Sequence, residues 1–551
     1  MLKVKKETAS MHTRDGVRLD ADIYRPDVGE YPVLLMRQPY GSEIASTVVY
    51  GHPKWYAAHG YIVVIQDVRG RGTSEGEFDL FGSEIEDGLD TVNWASQLPG
   101  STGEVGMYGF SYQGMTQLYA AVSQPSALKA ICPAMIGYDL YTDWAYEGDV
   151  FCWQTNLGWA IQLAAETVRL RGDESAYQQL YTASRSLPLH DPIPARPDVL
   201  EKLAPDSFYH AWLDHPYPDS YWEQLSPKRL MSEVDLPMLH IGGWFDSYLR
   251  GTLHLYQEIA ARSSLPQHLI IGPWAHIPWG RKVGGVDYGA EAASPVDQLQ
   301  IRWFDQFLKG IDTGLLNSPP VCLFEMGSNQ WHYFDTFPSN RQQPYYLASS
   351  GLASIRDDGG KLVIACPDSC TEDVLVHDPW RPVPALGGHA AIPAGSFDRS
   401  HLDCRSDVLT YTSTPLAEDW HLAGEVSVEI YCTADKSSFD LCAVLSEVQP
   451  DGNVYNFTQG YKQVNSGETP VRMPLQATCR QIAKGKRLRL SLSAACFPAY
   501  LVNPGTGSLP KKARLIDAQI ITLTVSCGGE CPSQVLLPVI APPKLSFSQD
   551  S

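Results

Sequence analysis

A serine flanked by two glycines follows an apolar run and begins a helical stretch. The segment is Gly109-Phe110-Ser111-Tyr112-Gln113-Gly114. A tight turn from strand to helix exposes a serine hydroxyl at the sheet edge, and the helix N-terminus there stabilises negative charge. The common pattern has its second glycine two residues after the serine, whereas here it lies three after. Ser111 is therefore a candidate nucleophile, and the alternative is that it only caps the following helix.

Two further residues complete the hydrolase order of acid followed by histidine. The predicted strand Pro237–Ile241 leads to Asp246, and the predicted strand His268–Ile271 leads to His276. Parallel strands place such loops at one edge of the sheet. His276 would take the serine proton and return it to the leaving group, while Asp246 orients the imidazole. The simpler alternatives are a turn aspartate and a structural loop histidine.

A tetrahedral intermediate also needs hydrogen-bond donors for its oxyanion. The backbone N–H of Tyr112, at the start of the helix, is one candidate. The second should come from the loop after the predicted strand Val33–Met36, where the phenol of Tyr40 could reach into the cleft. A tyrosine that serves only packing fits the sequence equally well.

The elements that must position these residues predict an α/β fold. Short apolar runs alternate with helical stretches over residues 1–141 and 231–318, as in a doubly wound parallel sheet. Residues 142–230 lack strand signals and are rich in aromatics, which predicts a helical cap inserted in the core. Residues 319–551 are short alternating runs between turn residues, which predicts an all-β sandwich or jelly roll.

Composition excludes several classes of function. The chain has 551 residues and a net charge of −20, which disfavours a nucleic-acid partner. It contains no apolar run long enough to span a membrane, and the N-terminus lacks the apolar stretch of a secretory signal. The 12 cysteines are therefore expected as thiols in the cytoplasm. Two C-x3-C pairs, Cys366/Cys370 and Cys527/Cys531, lack the neighbours of a zinc site, so no metal is expected.

The glycine-rich stretch Asp67–Gly76 has neither of the common nucleotide-binding spacings. It is interpreted as a rigid loop held by a network of arginines and carboxylates. No cofactor is implied.

Taken together, these motifs resemble the cocaine esterase-like (CocE/NonD) hydrolases, the superfamily of X-Pro dipeptidyl-peptidases and α-amino acid ester hydrolases. Further markers are Thr13–Leu19, Arg37–Tyr40, Trp303–Gly310 and Arg405–Leu409. The resemblance implies an α/β-hydrolase core with a helical cap and a C-terminal jelly roll. It also implies the triad Ser111, Asp246 and His276, with oxyanion donors from Tyr40 and the Tyr112 amide. The glycine spacing after Ser111 is normal in this family.

The resemblance places Tyr248 and the loop 387–395 beside the acyl pocket. Aromatics of the cap could belong to its core or to the pocket, and Trp144, Phe151 and Trp153 are taken as pocket candidates. A carboxylate cluster for a substrate ammonium is not evident, although Asp287 or Glu291 could contribute.

The expected function is a cofactor-free serine hydrolase that cleaves small carboxylic esters or amides through an acyl-enzyme. An X-Pro dipeptidyl-peptidase or an acyltransferase is the alternative on the same scaffold. A binding protein with a carbohydrate-recognising jelly roll is the non-enzymatic alternative. No membrane partner is expected, and assembly into a homo-oligomer is left open.

Overall fold

The computed structural model describes residues 2–42, 47–190, 192–338 and 342–542. Its N-terminal part alternates strands and helices, numbered in chain order. The strands are β1 (Val4–His12), β2 (Arg18–Pro26), β3 (Tyr31–Gln38), β4 (Ile62–Asp67), β5 (Ser101–Phe110) and β6 (Leu128–Ala134). The helices are α1 (Pro53–Ala58), α2 (Glu84–Ser96) and α3 (Tyr112–Val122). Strands β1 and β2 form an antiparallel pair at the edge of the sheet.

The next segment, residues 141–230, is mainly helical and is called the cap. It opens with a π-helical turn, Tyr141–Ala145, and a small hairpin of β7 (Tyr146–Glu147) and β8 (Val150–Phe151). Its helices are α4 (Trp153–Leu170), α5 (Glu174–Arg185), α6 (Asp198–Leu203), α7 (Phe208–Asp214), α8 (Ser220–Leu225) and α9 (Pro227–Leu230). This matches the helical insertion that the aromatic-rich sequence predicts.

The chain then returns to the sheet. The strands are β9 (Met238–Phe245), β10 (Gln267–Ala275), β11 (Lys282–Val283), β12 (Val286–Asp287), β13 (Val321–Glu325) and β14 (Gln330–Phe334). The helices are α10 (Leu249–Arg262) and α11 (Val296–Leu308), with 3₁₀ turns at Ala290–Ala292 and Leu315–Asn317. Both β9 and β10 are longer than predicted, so that Asp246 and His276 each directly follow the last residue of a strand.

The remaining residues form the β-domain. Its strands are β15 (Gln342–Ser349), β16 (Gly360–Val363), β17 (Thr371–His377), β18 (Leu409–Ser413), β19 (Trp420–Gly424), β20 (Ser427–Ala434), β21 (Ser438–Val448), β22 (Val454–Asn465), β23 (Val471–Pro474), β24 (Thr478–Ile482), β25 (Arg487–Ser493), β26 (Ile521–Cys527) and β27 (Gln534–Ile540). A single short helix, α12 (Ser400–Asp403), and 3₁₀ turns at Pro510–Lys512 and Leu515–Asp517 interrupt them in the described part of the chain.

The core sheet has the order β1-β2-β4-β3-β5-β6-β9-β10-β13-β14. Neighbouring strands from β4 through β13 pair in parallel. The central strands are buried on both faces, which explains their nearly continuous apolar sequences. In this parallel arrangement the carboxyl ends of β3, β5, β9 and β10 share one edge, and this edge carries the candidate catalytic residues.

Two strands beyond residue 319, the predicted start of the C-terminal domain, belong to the core sheet. Strands β13 and β14, assigned from their short alternating pattern to the domain beginning at residue 319, extend the core sheet instead. Val321 of β13 pairs in parallel with Leu269 of β10, and β14 pairs antiparallel with β13. Alternation identifies a strand that is buried on one face, but the same pattern suits the end of a mixed sheet and a sandwich.

One apolar cluster joins all three parts of the molecule. It includes Val64 and Met107 of the sheet, Trp153 of the cap, and Tyr461 and Tyr500 of the β-domain. The three parts therefore form a continuous interior rather than separate domains on linkers. Among the described residues, no helix combines the length and apolar character that membrane crossing requires.

Candidate active site

Ser111 occupies a strained turn between strand β5 and helix α3. Its φ of 58° and ψ of −126° lie outside the regions that L-residues normally adopt. The Ser111 N–H donates to the Ala134 carbonyl at the end of β6, at 2.9 Å. Its own carbonyl accepts from the N–H groups of Gly114 and Met115. Such a conformation costs about 1–3 kcal/mol and persists only where surrounding contacts impose it, a pattern typical of functional sites.

The glycines around Ser111 are required by close packing. Gly109 has a φ of +142°, and a Cβ there would overlap the Cβ of Gln113. A Cβ on Gly114 would overlap Ile136 Cγ2 and lie 2.9 Å from the Ala134 carbonyl oxygen. The glycine lies three residues after Ser111 because Gly114 is the residue that meets the end of the neighbouring strand.

Asp246 and His276 are brought together by two neighbouring strands. Each directly follows its strand, and β9 and β10 pair in parallel up to the contact of Phe245 with Ala275. His276 Nδ1 lies 2.8 Å from Asp246 Oδ1. The carboxylate is fully buried, whereas 28% of the His276 side chain is exposed. A hydrogen bond from Nδ1–H to the carboxylate leaves Nε2 as the basic nitrogen that can receive a proton.

Aromatic contacts place the His276 imidazole beside the serine turn. The ring of Phe110, the residue before Ser111, lies 5.4 Å from the imidazole between ring centroids. Tyr248 packs edge-on against the other side at 5.0 Å. The predicted nucleophile, base and acid therefore lie at one edge of the sheet.

Gln476 of the β-domain supports the loop that carries Asp246. Its Nε2 donates to the carbonyl oxygens of Trp244 and Asp246 at 2.9 and 3.0 Å, and these contacts are buried. Sequence reasoning did not identify Gln476, because it lies between β23 and β24, 230 positions after Asp246. A lone glutamine in a β-rich region carries no signal for such a role.

Tyr40 lies two residues after β3, at the same edge as Ser111. The indole N–H of Trp159 donates to the Tyr40 hydroxyl oxygen at 3.1 Å. This contact occupies an acceptor site of the phenol and leaves its O–H as a donor. Burial raises the pKa of Tyr40 to about 12. The phenol therefore remains a neutral donor at any ordinary assay pH.

The side chain of Tyr112 has a different environment from its backbone. Its phenol is buried and donates to Glu84 Oε1 at 2.7 Å, while Glu84 also pairs with the buried Arg37. Burial, and then the Glu84 charge, raise the pKa of this phenol well above its usual value. The Tyr112 N–H lies in the first turn of α3, where helical N–H groups lack internal partners, so the backbone and not the phenol of this residue stays the candidate oxyanion donor.

Two of the four predicted pocket aromatics connect the imidazole with Tyr40. Trp144 packs between Tyr248, at 4.3 Å, and Trp159, at 5.3 Å. These side chains form a continuous row, called the aromatic wall, which runs from His276 through Tyr248, Trp144 and Trp159 to Tyr40. Trp144 and Tyr248 are both buried, and their assignment to the substrate pocket stays a prediction.

Phe151 and Trp153 have contacts that lead away from His276. Phe151 packs on Tyr209, and the Trp153 indole donates to the Tyr209 hydroxyl at 3.0 Å. Trp153 also packs against Phe497 of the β-domain. Both side chains are buried where the cap meets the β-domain, and their assignment to the pocket stays a prediction.

A cavity of about 640 Å³ borders Tyr40. Its walls include Trp159, Tyr177 and Tyr181 of the cap and Ile392 of the β-domain. Ile392 belongs to the predicted pocket loop 387–395, which therefore approaches this side of the site. A cavity of this volume suits a small organic molecule.

The remaining sequence candidates are two carboxylates and the glycine-rich loop. Asp287 is exposed and forms an ion pair with Arg281 at 2.8 Å, and Glu291 is exposed. In the Asp67–Gly76 loop, Arg69 pairs with Asp15 and Asp87, as the predicted network requires. Within the described ranges, no three histidine, cysteine or acidic side chains are grouped so that they could hold a metal ion.

Comparison with known proteins places this geometry in a family. Residues 15–278 match the family model described as X-Pro dipeptidyl-peptidase (S15 family). Residues 313–536 match the X-Pro dipeptidyl-peptidase C-terminal non-catalytic domain. The cocaine esterase of Rhodococcus sp. is 30% identical over 96% of this chain and 97% of its own length.

Solved structures of similar fold span nearly the whole chain. An aminopeptidase from a marine sediment Thaumarchaeota archaeon has a TM-score of 0.82 and 25% identity, covering 98% of this chain and 97% of its own. An α-amino acid ester hydrolase has a TM-score of 0.80 and 22% identity with the same coverage.

The fold and the relatives define a serine hydrolase of carboxylic esters built on an α/β-hydrolase core. More narrowly, the chain belongs to the cocaine esterase-like (CocE/NonD) family.

Proposed function

We propose that Ser111, His276 and Asp246 are the catalytic triad of this esterase. The observation that carries the proposal is the 2.8 Å contact between His276 Nδ1 and the buried Asp246, at the edge where Ser111 occupies its strained turn. A buried carboxylate orients the ring and stabilises the imidazolium that forms during the reaction.

The reaction then follows from the positions of these groups. Ser111 Oγ attacks the ester carbonyl while its proton passes to His276 Nε2. The Tyr112 N–H and the Tyr40 hydroxyl donate to the oxyanion. The imidazolium returns the proton to the leaving alcohol, and an acyl-enzyme remains on Ser111. Water, activated by the same imidazole, attacks the acyl carbonyl, and the carboxylic acid is released.

The substrate is proposed to be a small neutral ester whose acyl or alcohol group lies against the aromatic wall of Trp144 and Tyr248. The neighbouring cavity is also rich in aromatic residues. Its one glutamate, Glu166, is paired with Arg169 at 2.7 Å. This arrangement does not favour an ammonium-bearing substrate, so an aminoacyl specificity is the weaker candidate.

Covalent labelling tests the nucleophile. A fluorophosphonate probe should label the wild-type protein at Ser111, and Ser111→Ala should abolish both labelling and ester hydrolysis. A variant of an exposed serine, Ser175→Ala, serves as the control and should label normally. Labelling and turnover that survive in Ser111→Ala would exclude the assignment.

The two enzymatic alternatives are separated by substrate. The family description X-Pro dipeptidyl-peptidase makes peptide hydrolysis the second candidate. p-Nitrophenyl esters should be turned over much faster than Xaa-Pro-p-nitroanilides, and the reverse order would favour the peptidase. Product analysis with an added alcohol would reveal acyl transfer.

A cytoplasmic location is proposed on the state of the cysteines. All twelve lie in the described part of the chain and carry free thiols, as a reducing compartment would keep them. The partners proposed are the small ester or amide substrate alone, without nucleic acid or membrane, and assembly into a homo-oligomer is left open.

A further inference from the structure

A second cavity lies against helix α4 and shares one lining residue, Leu163, with the cavity beside Tyr40. It has a volume of about 380 Å³. The apolar part of its wall comes from Ala160, Leu163, Ala164 and Val168 of α4 together with Phe208 of α7, and polar and charged side chains form the rest. A cavity of this kind suits the hydrocarbon part of a ligand.

Arg71 contributes a buried positive charge to this wall. Its side chain is 1% exposed. The guanidinium lies over the Phe78 ring, 3.8 Å from the centroid, and Nη1 donates to the Leu163 carbonyl at 3.2 Å. Nε is buried and has no hydrogen-bond partner among the described residues.

No carboxylate in the described ranges forms an ion pair with Arg71. Asp79 and Asp206 line the same cavity, but both are exposed, and a second cation, Arg171, lies in the wall with them. The neighbouring Arg69 shows the contrast, since it pairs with two aspartates. An arginine stays charged, and burial of a charge without an ion pair is costly, so an anion bound directly to Arg71 would stabilise this site.

We propose that this cavity binds a monocarboxylate with an apolar tail, the carboxylate on Arg71 and the tail along helix α4. Arginine matches the carboxylate with a two-pronged donor set. The apolar part of the wall favours binding of a hydrocarbon chain over binding of a small, strongly hydrated anion. A carboxylic acid released by ester hydrolysis has this chemistry, as does a free fatty acid.

The second cavity is connected through direct contacts to Trp159 and Tyr40 of the candidate active site. Helix α4 carries both the cavity residues and Trp159, whose indole donates to Tyr40. Phe208, in the cavity wall, packs against Trp159 at 4.9 Å between ring centroids. A bound acid is therefore expected to change the fluorescence of the surrounding tryptophans.

Calorimetry and tryptophan fluorescence with butanoate, hexanoate and octanoate test the proposal. The Ser111→Ala protein is used, so that the result does not depend on catalysis. Affinity should rise about fourfold for each added methylene that is buried. 1-Octanol, which has the tail without the charge, should bind more weakly than octanoate.

Arg71→Met should weaken octanoate binding about 10- to 100-fold, the usual loss of a hydrogen bond to a charged group. Arg169→Met, on the exposed side of α4, is the matched control and should bind like the parent. Ala164→Phe fills the cavity and should remove binding with Arg71 intact, which keeps the test valid if Arg71→Met folds poorly.

Absence of octanoate binding at millimolar concentration would overturn the proposal. Equal affinities in Arg71→Met and Arg169→Met would do the same, as would octanol binding as tightly as octanoate. Equal affinity for carboxylates of every chain length would exclude the apolar cavity as the site. None of these outcomes bears on the triad, which fluorophosphonate labelling tests separately.

Discussion

Replacing Tyr40 by phenylalanine tests whether the phenol takes part in catalysis or only in packing. The change removes only the hydroxyl that accepts from Trp159 at 3.1 Å. If that hydroxyl donates to the oxyanion, its loss should lower kcat by about 10²–10³, because the Tyr112 amide alone remains. The same change costs the fold only one hydrogen bond, about 0.5–1.5 kcal/mol.

The assay is the steady-state hydrolysis of a p-nitrophenyl ester, with thermal unfolding measured on the same samples. KM should change little, since the lost interaction is strongest in the transition state. Because the pKa of Tyr40 is raised to about 12, the wild-type rate should show no loss from its ionisation up to about pH 11. Tyr181→Phe, in the wall of the same cavity, is the control and should retain wild-type kcat. A kcat for Tyr40→Phe within threefold of the wild type, with the small loss of stability, would show that Tyr40 only packs.

Three further outcomes are expected. Gln476→Met removes two hydrogen bonds to the Asp246 loop and should lower kcat about tenfold with little change in KM. Gln481→Met is the control and should leave kcat unchanged. Equal kinetics in the two variants would show that Gln476 does not position the loop. Gly114→Ala should destabilise the protein by about 1–3 kcal/mol, because the new Cβ would overlap the strand beside it. Gly280→Ala is the control and should melt like the wild type, because a Cβ at that position meets open space. Matching melting temperatures for the two variants would contradict the packing argument. Burial raises the pKa of Asp440 to about 7. As the pH rises, the unfolded chain loses this proton near pH 4, while the folded chain keeps it up to about pH 7. The free energy of unfolding therefore falls by up to about 4 kcal/mol between about pH 4 and 7 and is level above that range. Asp440→Asn should remove this part of the slope in apparent melting temperature against pH, and a difference from the wild type that is the same at every pH would refute it.

Much of the fold follows from patterns within short stretches of sequence. The central strands are buried on both faces over most of their length and are nearly continuously apolar there, which made β3, β9 and β10 recognisable. The position of β13 and β14 was not recognisable in this way. Strand β13 is buried along nearly its whole length between β10 and β14, and its pairing with β10 depends on a segment distant in the chain.

The candidate site shows the same division between local and distant information. Ser111 could be found because a strand-to-helix turn has a local glycine pattern. Asp246 and His276 could be found because they follow strands in hydrolase order. The hydrogen bonds of Trp159 to Tyr40 and of Gln476 to the Asp246 loop could not, since they join residues 119 and 230 positions apart.

By itself, the amino-acid order determined the class of fold and the candidate residues for ester hydrolysis, because strand burial and tight turns restrict which side chains can follow one another. Only the tertiary structure decided which of these side chains meet and what surrounds them. It brought His276 onto a buried Asp246, placed Trp144 between Tyr248 and Trp159, and left Arg71 in a cavity wall with no ion-paired carboxylate among the described residues. The physical reason is that packing and charge pairing depend on distances in space between segments whose separation along the chain carries no pattern.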